Sequence, residues 1–413
     1  MIKKLLIINS VINSGSTGRI VESIGIVANK NGFDTYVAYG RKSNKSSLKT
    51  YRIGNSFSNL IHLIFSRFLD NQGLLSILPT LNLIKYIKKL NPDIINLHNI
   101  HGYYLNHNIL FKYLNTTSIK ICWTFHDCWP FTGHCIYFDH VQCDKWETLC
   151  NKCPQTHTYP KSFVLDRSKN NFNEKKLLFS NNNNLTIICV SNWMCNLVNK
   201  SFLKNTSKTV IHNGINLKIF RPLNKFNLKL KKINSKKFTI LGVAYQWTSR
   251  KGLTDFIELS QRLTSNFQII LVGLSTKQIK NLPNNIIGIT KTENISELVQ
   301  LYSYSDVFVN PTYEDNYPTT NLESMACGTP VITYSTGGSI ESVCDDTGFV
   351  IKKGDINSLT DTLIKLRTNF EKNNFSKKCR LRAEKYFDEN ITYENYINTF
   401  KTTLNAKKNY KSI

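Results

Sequence analysis

The chain has 413 residues, 41% of them hydrophobic, and a formal net charge of +25 at pH 7. This length exceeds what one hydrophobic core usually organises, so a single small domain is excluded and two domains are expected. The charge favours anionic partners such as phosphate substrates, nucleic acid or a membrane surface. We expect no transmembrane helix, since no run approaches the roughly 18 apolar residues of a membrane span.

The first residues, "MIKKLLIINSVINSGSTG", are basic and then apolar, but asparagines interrupt them and no small-residue cleavage pattern follows. We therefore expect a buried first strand rather than a secretion signal. The protein is expected to be cytoplasmic, peripheral to the membrane at most. Eleven cysteines in such a protein are expected to be reduced thiols or metal ligands rather than a disulfide framework.

Short apolar runs alternate with helical patterns along the first half. The runs expected to be strands are "KKLLIINSV", "DTYVAYG", "PDIINLHN", "IKICWTF", "LTIICVS" and "KTVIHNG". This rhythm predicts a parallel sheet with crossover helices. One helix is expected to follow "GSTGRI" and to end at a glycine, and a longer helical region is expected from about Phe57 to Leu90, broken or kinked at Pro79.

The same rhythm begins again after a polar, basic stretch over residues 212–237, which is typical of a domain linker. The strands expected there are "FTILGVAY", "FQIILVG", "DVFVNP", "PVITY" and "TGFVI". We therefore predict two doubly wound, Rossmann-like α/β domains, 1–215 and 216–385, facing each other across a cleft. Final helices are expected from about Asn374 to Lys408, and the apolar spacing of the last, over 386–413, allows it to pack back on the first domain.

The segment over residues 310–343 carries the most informative motif. A strand is expected to end at Asn310, an acidic loop follows, and a helix is expected from about Pro318 to Gly328. The free N–H groups and the dipole at that helix start would hold a diphosphate. Asp315 and Glu323 lie about two helical turns apart, so one carboxylate can reach sugar hydroxyls while the other lies beside a ribose.

The segment contains an acid, seven further residues and a glutamate, followed by "MACGTPVI" and "GG". This arrangement resembles the nucleotide-sugar motif of retaining GT-B glycosyltransferases of family 4. That family usually has Glu where this chain has Asp315, preceded by Glu314, so which of the two contacts the donor sugar stays open. The resemblance covers nearly the whole chain. With the basic turn described next, it implies a donor site formed by Arg250, Lys251, Glu314, Asp315, Asn316, Tyr317, Thr319, Thr320, Asn321 and Glu323.

Upstream, "GVAYQWTSRKGLTDFIEL" places Arg250 and Lys251 between an expected strand and an amphipathic helix. Two cations there would neutralise a departing diphosphate. The resembling family commonly has Arg five residues before the Lys, where this chain has Gln246. We therefore assign the guanidinium role to Arg250, the alternative being a solvated basic turn.

The loop "NSGSTGRI" in the first half lacks the lysine and the spacing of a P-loop, so ATP hydrolysis is not indicated. Its glycines allow the backbone to approach a ligand closely. The loop is similar to the family's N-terminal loop, which faces the donor phosphates or the acceptor, although a simple tight turn is the alternative. Its candidate residues are Gly15, Ser16, Thr17 and Gly18.

Polar residues follow two of the expected strands. His98, Asn99 and His101 suit hydrogen bonding to sugars and look like the acceptor side of transferases that build bacterial surface polysaccharides, while loop packing is the alternative. In "WTFHD", His126 comes directly after a strand, where family 4 enzymes carry a histidine close to the donor sugar. We predict that His126 is catalytic and that Asp127 orients it or assists deprotonation of the acceptor.

A cysteine-rich insertion is expected over about 127–164. It resembles the insertion of a subgroup similar to the colanic-acid-type glycosyltransferases. Its ligand-like residues are Cys135, Cys143, Cys150 and Cys153. Four thiolates ending in a C-x-x-C are compatible with structural zinc, and a long loop without periodicity needs such a constraint. Reduced buried thiols, a redox pair or a catalytic metal are the alternatives.

The leading hypothesis from the resemblance is transfer of a sugar from a nucleoside-diphosphate sugar to a hydroxyl of a glycan acceptor, with retention, in bacterial surface polysaccharide biosynthesis. No cofactor is expected for catalysis and no nucleic acid as a partner. The acceptor could be linked to polyprenyl diphosphate, and the enzyme could lie at the anionic inner face of the cytoplasmic membrane. Two alternatives are a basic nucleic-acid-binding protein with a zinc element and a metal-dependent hydrolase.

Overall fold

The structure is a computed structural model that describes residues 2–223, 233–368 and 372–406. The described residues form two compact units: the first runs to Ile211 and resumes at Tyr393, and the second is His212–Thr392. Residues 224–232, which belong to the predicted linker, and residues 407–408 of the predicted final helices lie outside the described residues.

The first unit contains a seven-stranded parallel sheet with the order β3-β2-β1-β4-β5-β6-β7. Its strands are β1 (Lys3–Asn9), β2 (Phe33–Tyr39), β3 (Lys49–Arg52), β4 (Ile94–Leu97), β5 (Lys120–Phe125), β6 (Leu185–Cys189) and β7 (Ser207–Val210). The order runs outward in both directions from β1 and β4, as in a doubly wound fold. The predicted architecture of this half is confirmed, with the short edge strand β3 added.

Both faces of this sheet are covered. Leu6 and Ile8 of β1 belong to one core cluster, whereas their neighbours Leu5 and Ile7 belong to another on the opposite face. Successive side chains of a strand point to opposite faces, so a sheet buried on both sides requires nearly continuous apolar strands. The apolar run of β1 has this pattern.

The helices of the first unit connect these strands. They are α1 (Gly15–Lys30), α2 (Ser56–Leu69), α3 (Ile77–Leu90), α4 (His107–Leu114), α5 (Ser168–Ser180) and α6 (Asn192–Lys200). In α1, Ile20, Val21 and Ile24 recur at helical spacing and are buried against the sheet. Gly32, with φ of 86°, follows the end of this helix, as predicted from the sequence.

The helical region predicted from Phe57 to Leu90 is interrupted, but not at Pro79. The interruption lies between α2 and α3, where Asp70, Gly73 and Ser76 all have positive φ. Pro79 is the third residue of α3, where a missing backbone N–H removes no intrahelical hydrogen bond. The prediction that Pro79 breaks or kinks the region is therefore wrong, because the proline is placed in the first turn of a helix.

The second unit contains a six-stranded parallel sheet with the order β10-β9-β8-β11-β12-β13. Its strands are β8 (Phe238–Val243), β9 (Phe267–Val272), β10 (Ile286–Ile289), β11 (Val307–Asn310), β12 (Val331–Tyr334) and β13 (Gly348–Ile351). The helices from here to the end of the described chain are α7 (Leu253–Arg262), α8 (Thr276–Lys280), α9 (Ile295–Tyr304), α10 (Thr319–Ala326), α11 (Ile356–Thr368), α12 (Lys372–Tyr386) and α13 (Glu389–Asn405). This unit is the second Rossmann-like domain that the sequence predicts.

The last helix, α13, contributes to the core of the first unit. Tyr393, Tyr396, Ile397 and Phe400 are buried in the same cluster as the strand residues of β1. The chain therefore returns to the first unit after completing the second. Within the described ranges, no helix combines the length and the apolar character needed to cross a membrane.

Candidate active site

The carboxyl ends of β4 and β5 bring two histidines into direct contact. These strands are neighbours in the sheet, and His98 follows the first while His126 follows the second. Nδ1 of His98 lies 2.9 Å from Nε2 of His126, and the two rings are nearly parallel, with an interplanar angle of 19°. The structure thus joins a residue predicted to contact the acceptor with the residue predicted to be catalytic.

The two histidines differ in exposure. His98 is 1% exposed, whereas His126 is partly exposed, so only His126 of the pair presents a substantial surface to a ligand. Burial lowers the pKa of His126 to about 4, and the carboxylate of Asp127 only partly offsets this effect. Burial also holds the pKa of His98 well below its usual range. Both imidazoles are therefore neutral at neutral pH.

His101 and Asp127 form a second pair beside the first. Nε2 of His101 lies 2.9 Å from Oδ2 of Asp127, and the backbone N–H of Trp129 donates to Oδ1 of the same carboxylate at 3.0 Å. Burial alone would raise the pKa of Asp127, but the electrostatic interaction and the hydrogen bond with His101 hold it below the usual value. The carboxylate is thus ionised and oriented by donors on two sides. Asn99, between the histidines, is partly exposed.

A buried lysine secures the turn that follows His126 and Asp127. Nζ of Lys175, on α5, donates to the carbonyl oxygens of Trp129 and Thr132 at 2.8 and 3.0 Å. The same ammonium group lies 3.5 Å from the centroid of the Trp129 ring, a close cation–π contact. Because Trp129 is itself bonded to Asp127, this lysine fixes the position of the site through the turn.

The N-terminal loop meets α1 where the sequence predicts a ligand-binding turn. The first turn of the helix is formed by Gly15, Ser16, Thr17 and Gly18, whose backbone N–H groups are the donors at its start. Gly18 is buried, and a Cβ there would lie 3.1 Å from Val11 and 3.2 Å from the backbone nitrogen of Asn13. Glycine at this position therefore lets the loop pack directly against the helix.

In the second unit, a basic turn and an acidic loop pair with each other. Nζ of Lys251 lies 2.5 Å from Oδ2 of Asp315, and Nη1 of Arg250 donates to the backbone oxygen of Glu314 at 2.8 Å. Gly252 has φ of 76°, and a Cβ on it would lie only 2.3 Å from the backbone oxygen of Pro311. The close approach of the turn to the end of β11 therefore requires a glycine.

The predicted donor residues around the start of α10 have unequal access to a ligand. Thr319 and Thr320, in the first turn, are partly exposed, whereas Asn316 and Tyr317 are buried. Asn321 is fully buried, and its amide bonds Asn310, Ser339 and Ser342. The structure therefore places Asn321 in the framework beneath the helix start, where its side chain ties the end of β11 to the segment after β12.

The two carboxylates of the motif lie in different surroundings. Oε2 of Glu323 accepts a hydrogen bond from the hydroxyl of Tyr302 at 3.0 Å, and the residue is buried. The side chain of Asp315 is 17% exposed and that of Glu314 only 4%. Of the two neighbouring acids in the loop, Asp315 is thus the more accessible.

The four ligand-like cysteines of the insertion, Cys135, Cys143, Cys150 and Cys153, line one small cavity of about 20 Å³. Cys135 and Cys153 share a hydrogen bond between their thiols, and the backbone N–H of Gly133 donates to Sγ of Cys150 at 3.3 Å. None of the eleven cysteines, all of which lie within the described ranges, forms a disulfide.

The side chains around this cavity do not form a ready-made ligand set. Among the described residues, no three His, Cys, Asp or Glu side chains are arranged to hold a metal ion. The cavity itself has room for a single small species, since one water needs about 10–15 Å³. Zinc binding by Cys135, Cys143, Cys150 and Cys153 therefore stays a prediction, and it requires the thiols to turn further into the cavity.

Sequence reasoning missed three polar residues near these groups. Asn96, in the apolar strand β4, contacts His98, with its Oδ1 2.8 Å from Nε2 of the imidazole. The hydroxyl of Tyr159 lies 3.4 Å from Nδ1 of His101, and Glu341 pairs with His212 at 2.9 Å in the second unit. A buried polar residue inside an apolar strand was the available signal for Asn96, whereas the other two contacts join distant parts of the chain.

Two family descriptions match the chain in the order of its two units. Residues 19–219 match the model described as Glycosyltransferase Family 4, and residues 225–385 match the model described as Glycosyl transferases group 1. The two matches together span most of both sheets. Both families consist of glycosyltransferases, not of nucleic-acid-binding proteins or metal-dependent hydrolases.

Curated relatives are similar over part of their lengths. The capsular polysaccharide biosynthesis glycosyltransferase CapM of Staphylococcus aureus is 24% identical over 224 residues, which are 50% of this chain and 59% of CapM. WcaC of Escherichia coli, whose name assigns it to colanic acid biosynthesis, is 22% identical over 273 residues, 64% of this chain and 65% of WcaC. The chain thus spans about six tenths of the length of these relatives.

Solved structures share the fold at low identity. Sucrose-phosphate synthase from Thermosynechococcus elongatus superposes with a TM-score of 0.73 at 16% identity, covering 98% of this chain and all of the other. Anabaena HepE in complex with UDP gives a TM-score of 0.65 at 13% identity, covering 97% of this chain and all of the other. With its two Rossmann-like units and its two family matches, the chain belongs to the family 4 glycosyltransferases of the GT-B fold.

Proposed function

We propose that the protein transfers a sugar from a nucleoside-diphosphate sugar to a hydroxyl of a glycan acceptor, with retention at the anomeric carbon, in the biosynthesis of a bacterial surface polysaccharide. The observation that carries this proposal is the pairing of Arg250 and Lys251 with the acidic loop at the start of α10. Two cations and a helix N-terminus neutralise a diphosphate, and the adjacent carboxylates accept hydrogen bonds from sugar hydroxyls.

Relatives support this class of donor and acceptor. HepE was crystallised with UDP and with UDP-glucose. A Campylobacter jejuni relative, 26% identical over 215 residues covering 48% of this chain and 55% of its own length, is named as an N-acetylgalactosaminyltransferase acting on a diphospho-undecaprenol-linked sugar. We extend the same classes to this chain, with an acceptor carried on polyprenyl diphosphate.

The proposed chemistry uses no metal ion. Arg250 and Lys251 supply the positive charge that the departing diphosphate needs, and that diphosphate can itself help to deprotonate the acceptor on the same face of the sugar. His126, which is neutral and partly exposed, hydrogen-bonds the sugar or the acceptor, and Asp127 assists. Of the two neighbouring acids we assign the contact with the donor sugar to Asp315, because its carboxylate is the more exposed of the pair.

A thermal-shift panel of nucleoside diphosphates and their sugars tests the donor site. A ligand that binds only the folded protein raises the unfolding midpoint by mass action, so we expect one nucleotide series to do so. Lys251→Met should weaken that response, whereas Lys277→Met, on the exposed helix α8, should leave it unchanged. The absence of any response at saturating concentration would overturn the donor-site assignment. Transfer that persists in excess EDTA supports the metal-free reaction, and transfer abolished by EDTA and restored by a divalent cation contradicts it.

We further propose that the first unit docks on an anionic membrane surface through the apolar face of α2. The side chains that form this face are exposed at positions i, i+3, i+4, i+7, i+8 and i+11: Phe57, Leu60, Ile61, Ile64, Phe65 and Phe68. The residues that α2 buries are instead polar, His62 and Ser66. A helix that turns its apolar stripe outward leaves a surface that water solvates poorly and that a bilayer interface covers.

Neighbouring segments extend this apolar face. The backbone N–H groups of Phe163 and Leu165 donate to the carbonyl oxygens of Arg67 and Phe68 at 2.6 and 3.1 Å, so this exposed segment lies beside the end of α2. Ile77, Leu78 and Leu81, at the start of α3, are also exposed. The surface therefore includes more than one helix, which suits a flat interface better than a single groove.

The stretch of sequence that carries this face is basic, which suits anionic lipid. Between residues 42 and 92 the only acidic residue is Asp70, which is buried and bound to His134. The basic residues over the same stretch are Lys42, Lys45, Lys49, Arg52, Arg67, Lys85, Lys88 and Lys89. Each basic residue near an anionic surface contributes about 1 kcal/mol of attraction, which favours a lipid surface over an uncharged protein partner.

Vesicle flotation tests this docking. We expect the protein to float with vesicles that contain phosphatidylglycerol and to float less at high salt. The double variant Phe57→Asp and Phe65→Asp should lower binding by at least about tenfold, since each phenylalanine contributes roughly 1.5–3 kcal/mol when fully buried. Tyr245→Asp, at a residue 91% exposed in the second unit, is the control. Equal flotation with purely zwitterionic vesicles, or a wild-type dimer that the double variant dissociates, would count against a lipid surface.

A further inference from the structure

Asn96 is a polar residue inside a buried strand, and its contacts fix the orientation of its amide. The Nδ2 group donates to the backbone oxygen of Cys122 at 2.9 Å, an atom that can only accept. The amide oxygen therefore points the other way, towards Nε2 of His98 at 2.8 Å. Since an amide oxygen also only accepts, Nε2 of His98 must carry the proton in this contact.

The proton on Nε2 of His98 determines the next contact. A neutral imidazole carries one proton, so Nδ1 of His98 is a lone-pair acceptor. Nε2 of His126 lies 2.9 Å from that nitrogen. The two rings are nearly parallel and their centroids lie 5.2 Å apart, as far apart as a hydrogen bond between the facing edges of two imidazoles requires, so the contact lies close to the plane of both rings. Nε2 of His126 is therefore the donor in this hydrogen bond, and the chain of donors runs from His126 to His98 to Asn96.

We propose that Asn96 and His98 are positioning residues that hold His126 in its Nε2–H tautomer, so that Nδ1 is the nitrogen of His126 that accepts a hydrogen bond or a proton from a sugar or acceptor hydroxyl. This inference rests on the proposed function for the identity of the hydroxyl, but the tautomer itself follows from the hydrogen bonds alone. His98, being buried, acts through His126 rather than on the substrate.

The direction of this chain has a chemical consequence. His126 can take up a proton at Nδ1 without losing its bond to His98, because the Nε2–H group that makes the bond is retained. Asp127 is less accessible for that role, since it is buried and its two carboxylate oxygens already contact His101 and the N–H of Trp129. The relay therefore presents the unprotonated Nδ1 of His126 in one fixed orientation, which lowers the cost of aligning it with a hydroxyl.

The first test is the tautomer of His126 in the full-length wild-type protein, read from long-range ¹H–¹⁵N correlations of its imidazole. We expect the Nε2–H form. Assignment comes from the signals lost in His126→Gln, and exposed His157 serves as an internal reference for a ring outside the relay. An Nδ1–H form, or an even mixture of the two tautomers, would falsify the proposal without any assay of activity.

Two substitutions at one position separate positioning from packing. The amide of His98→Gln can donate to Asn96 and accept from His126, so it should preserve the tautomer and most of the activity. His98→Leu removes both bonds, and we expect mixed tautomers of His126 and a fall in kcat of at least about tenfold, with little change in KM for the donor. A His98→Leu protein that is folded by thermal shift yet keeps the wild-type tautomer contradicts the relay. If no donor supports transfer in the wild type, the proposed function fails while the tautomer result stands.

Discussion

At the scale of single residues, burial controls the charge of the groups at the ends of β4 and β5. His98 and His126 are neutral because the protein interior disfavours their cationic forms, whereas Asp127 stays ionised because His101 and a backbone N–H compensate for its burial. Groups that lie side by side thus have different protonation states, and neutral imidazole next to an ionised carboxylate is available throughout the physiological pH range.

We predict that the pH dependence of transfer contains no ionisation of His126 near its ordinary pKa of 6.5. Its pKa is lowered to about 4, so its neutral form persists until the pH approaches that value. The measurement is kcat/KM against pH for the wild type and for His126→Gln. A fall in activity centred near pH 6.5 that disappears in the variant would contradict the lowered pKa.

We also expect His126→Ala to reduce kcat by about 10²–10⁴-fold, the usual contribution of a positioned acid or base. Nucleotide binding, measured by the same thermal shift as for the wild type, should be unchanged because the basic turn and α10 belong to the other unit. Unchanged turnover in this variant would remove His126 from the reaction.

At the scale of elements, α5 holds the turn after β5 by hydrogen bonds from a buried lysine. Its Lys175 is fully buried, and burial lowers its pKa to about 7. The folded protein therefore releases this proton at a lower pH than the unfolded chain, in which the lysine keeps its ordinary pKa of 10.5. Between these two values the unfolded state binds more protons, so this group makes the protein more stable as the pH rises.

Lys175→Met should remove this dependence. Relative to the variant, the wild type should gain free energy of unfolding between pH 7 and pH 10, by up to roughly 4 kcal/mol according to the linkage of pKa to stability. Urea denaturation of both proteins at several pH values measures the difference, and exposed Lys176→Met in the same helix is the control. A difference that is constant with pH would show that the ammonium group is not titrated in this range.

The cysteine-rich insertion yields a prediction about metal content. If the four thiols that line its cavity bind zinc, the purified protein should contain about one zinc per chain, and Cys143→Ser should lose it while Cys195→Ser, outside the cavity, keeps it. Inductively coupled plasma mass spectrometry gives the stoichiometry, and thiol titration in the native state shows whether the four cysteines are protected. Zinc-free protein from zinc-supplemented growth, with all four thiols reactive, would identify them as reduced thiols.

At the scale of the whole molecule, the chain completes its first unit only with its last helix. Phe400 of α13 is fully buried. Its ring packs edge to face against the ring of Phe33 of β2, with the two ring centroids 6.3 Å apart. The stability of the first unit therefore depends on residues that are separated from it in sequence by the entire second unit.

Phe400→Ala should destabilise the first unit by about 3–5 kcal/mol, the usual cost of truncating a buried phenylalanine. Ile391→Ala, in the same helix but at a residue 49% exposed, should change the stability by no more than about 0.5 kcal/mol. Differential scanning calorimetry with and without nucleotide would separate the two units, because nucleotide bound at the proposed donor site would stabilise the second. A selective loss of the nucleotide-sensitive transition in Phe400→Ala would be inconsistent with the packing of α13.

Local patterns in the amino-acid sequence are enough to predict the alternation of strands and helices, the two Rossmann-like halves and the position of α10. These features depend on local periodicity, on the glycine after α1 and on proline and glycine at the ends of α10, all of which can be read within a short window of residues. The edge strands β3 and β10 were missed because both are short and incompletely buried, so their apolar patterning is weak. The wrong break at Pro79 arose because a proline in the first turn and a proline that ends a helix look alike without the flanking backbone.

Which polar residues meet depends on the tertiary structure. It pairs His98 with His126, His101 with Asp127, and Lys251 with Asp315, although the members of each pair are separated by 26 to 64 positions. It also turns the apolar stripe of α2 outward, whereas periodicity alone predicts only that a stripe exists. Local patterns specify elements because they reflect backbone geometry, but a contact between distant side chains depends on strand order and burial, which are properties of the folded chain.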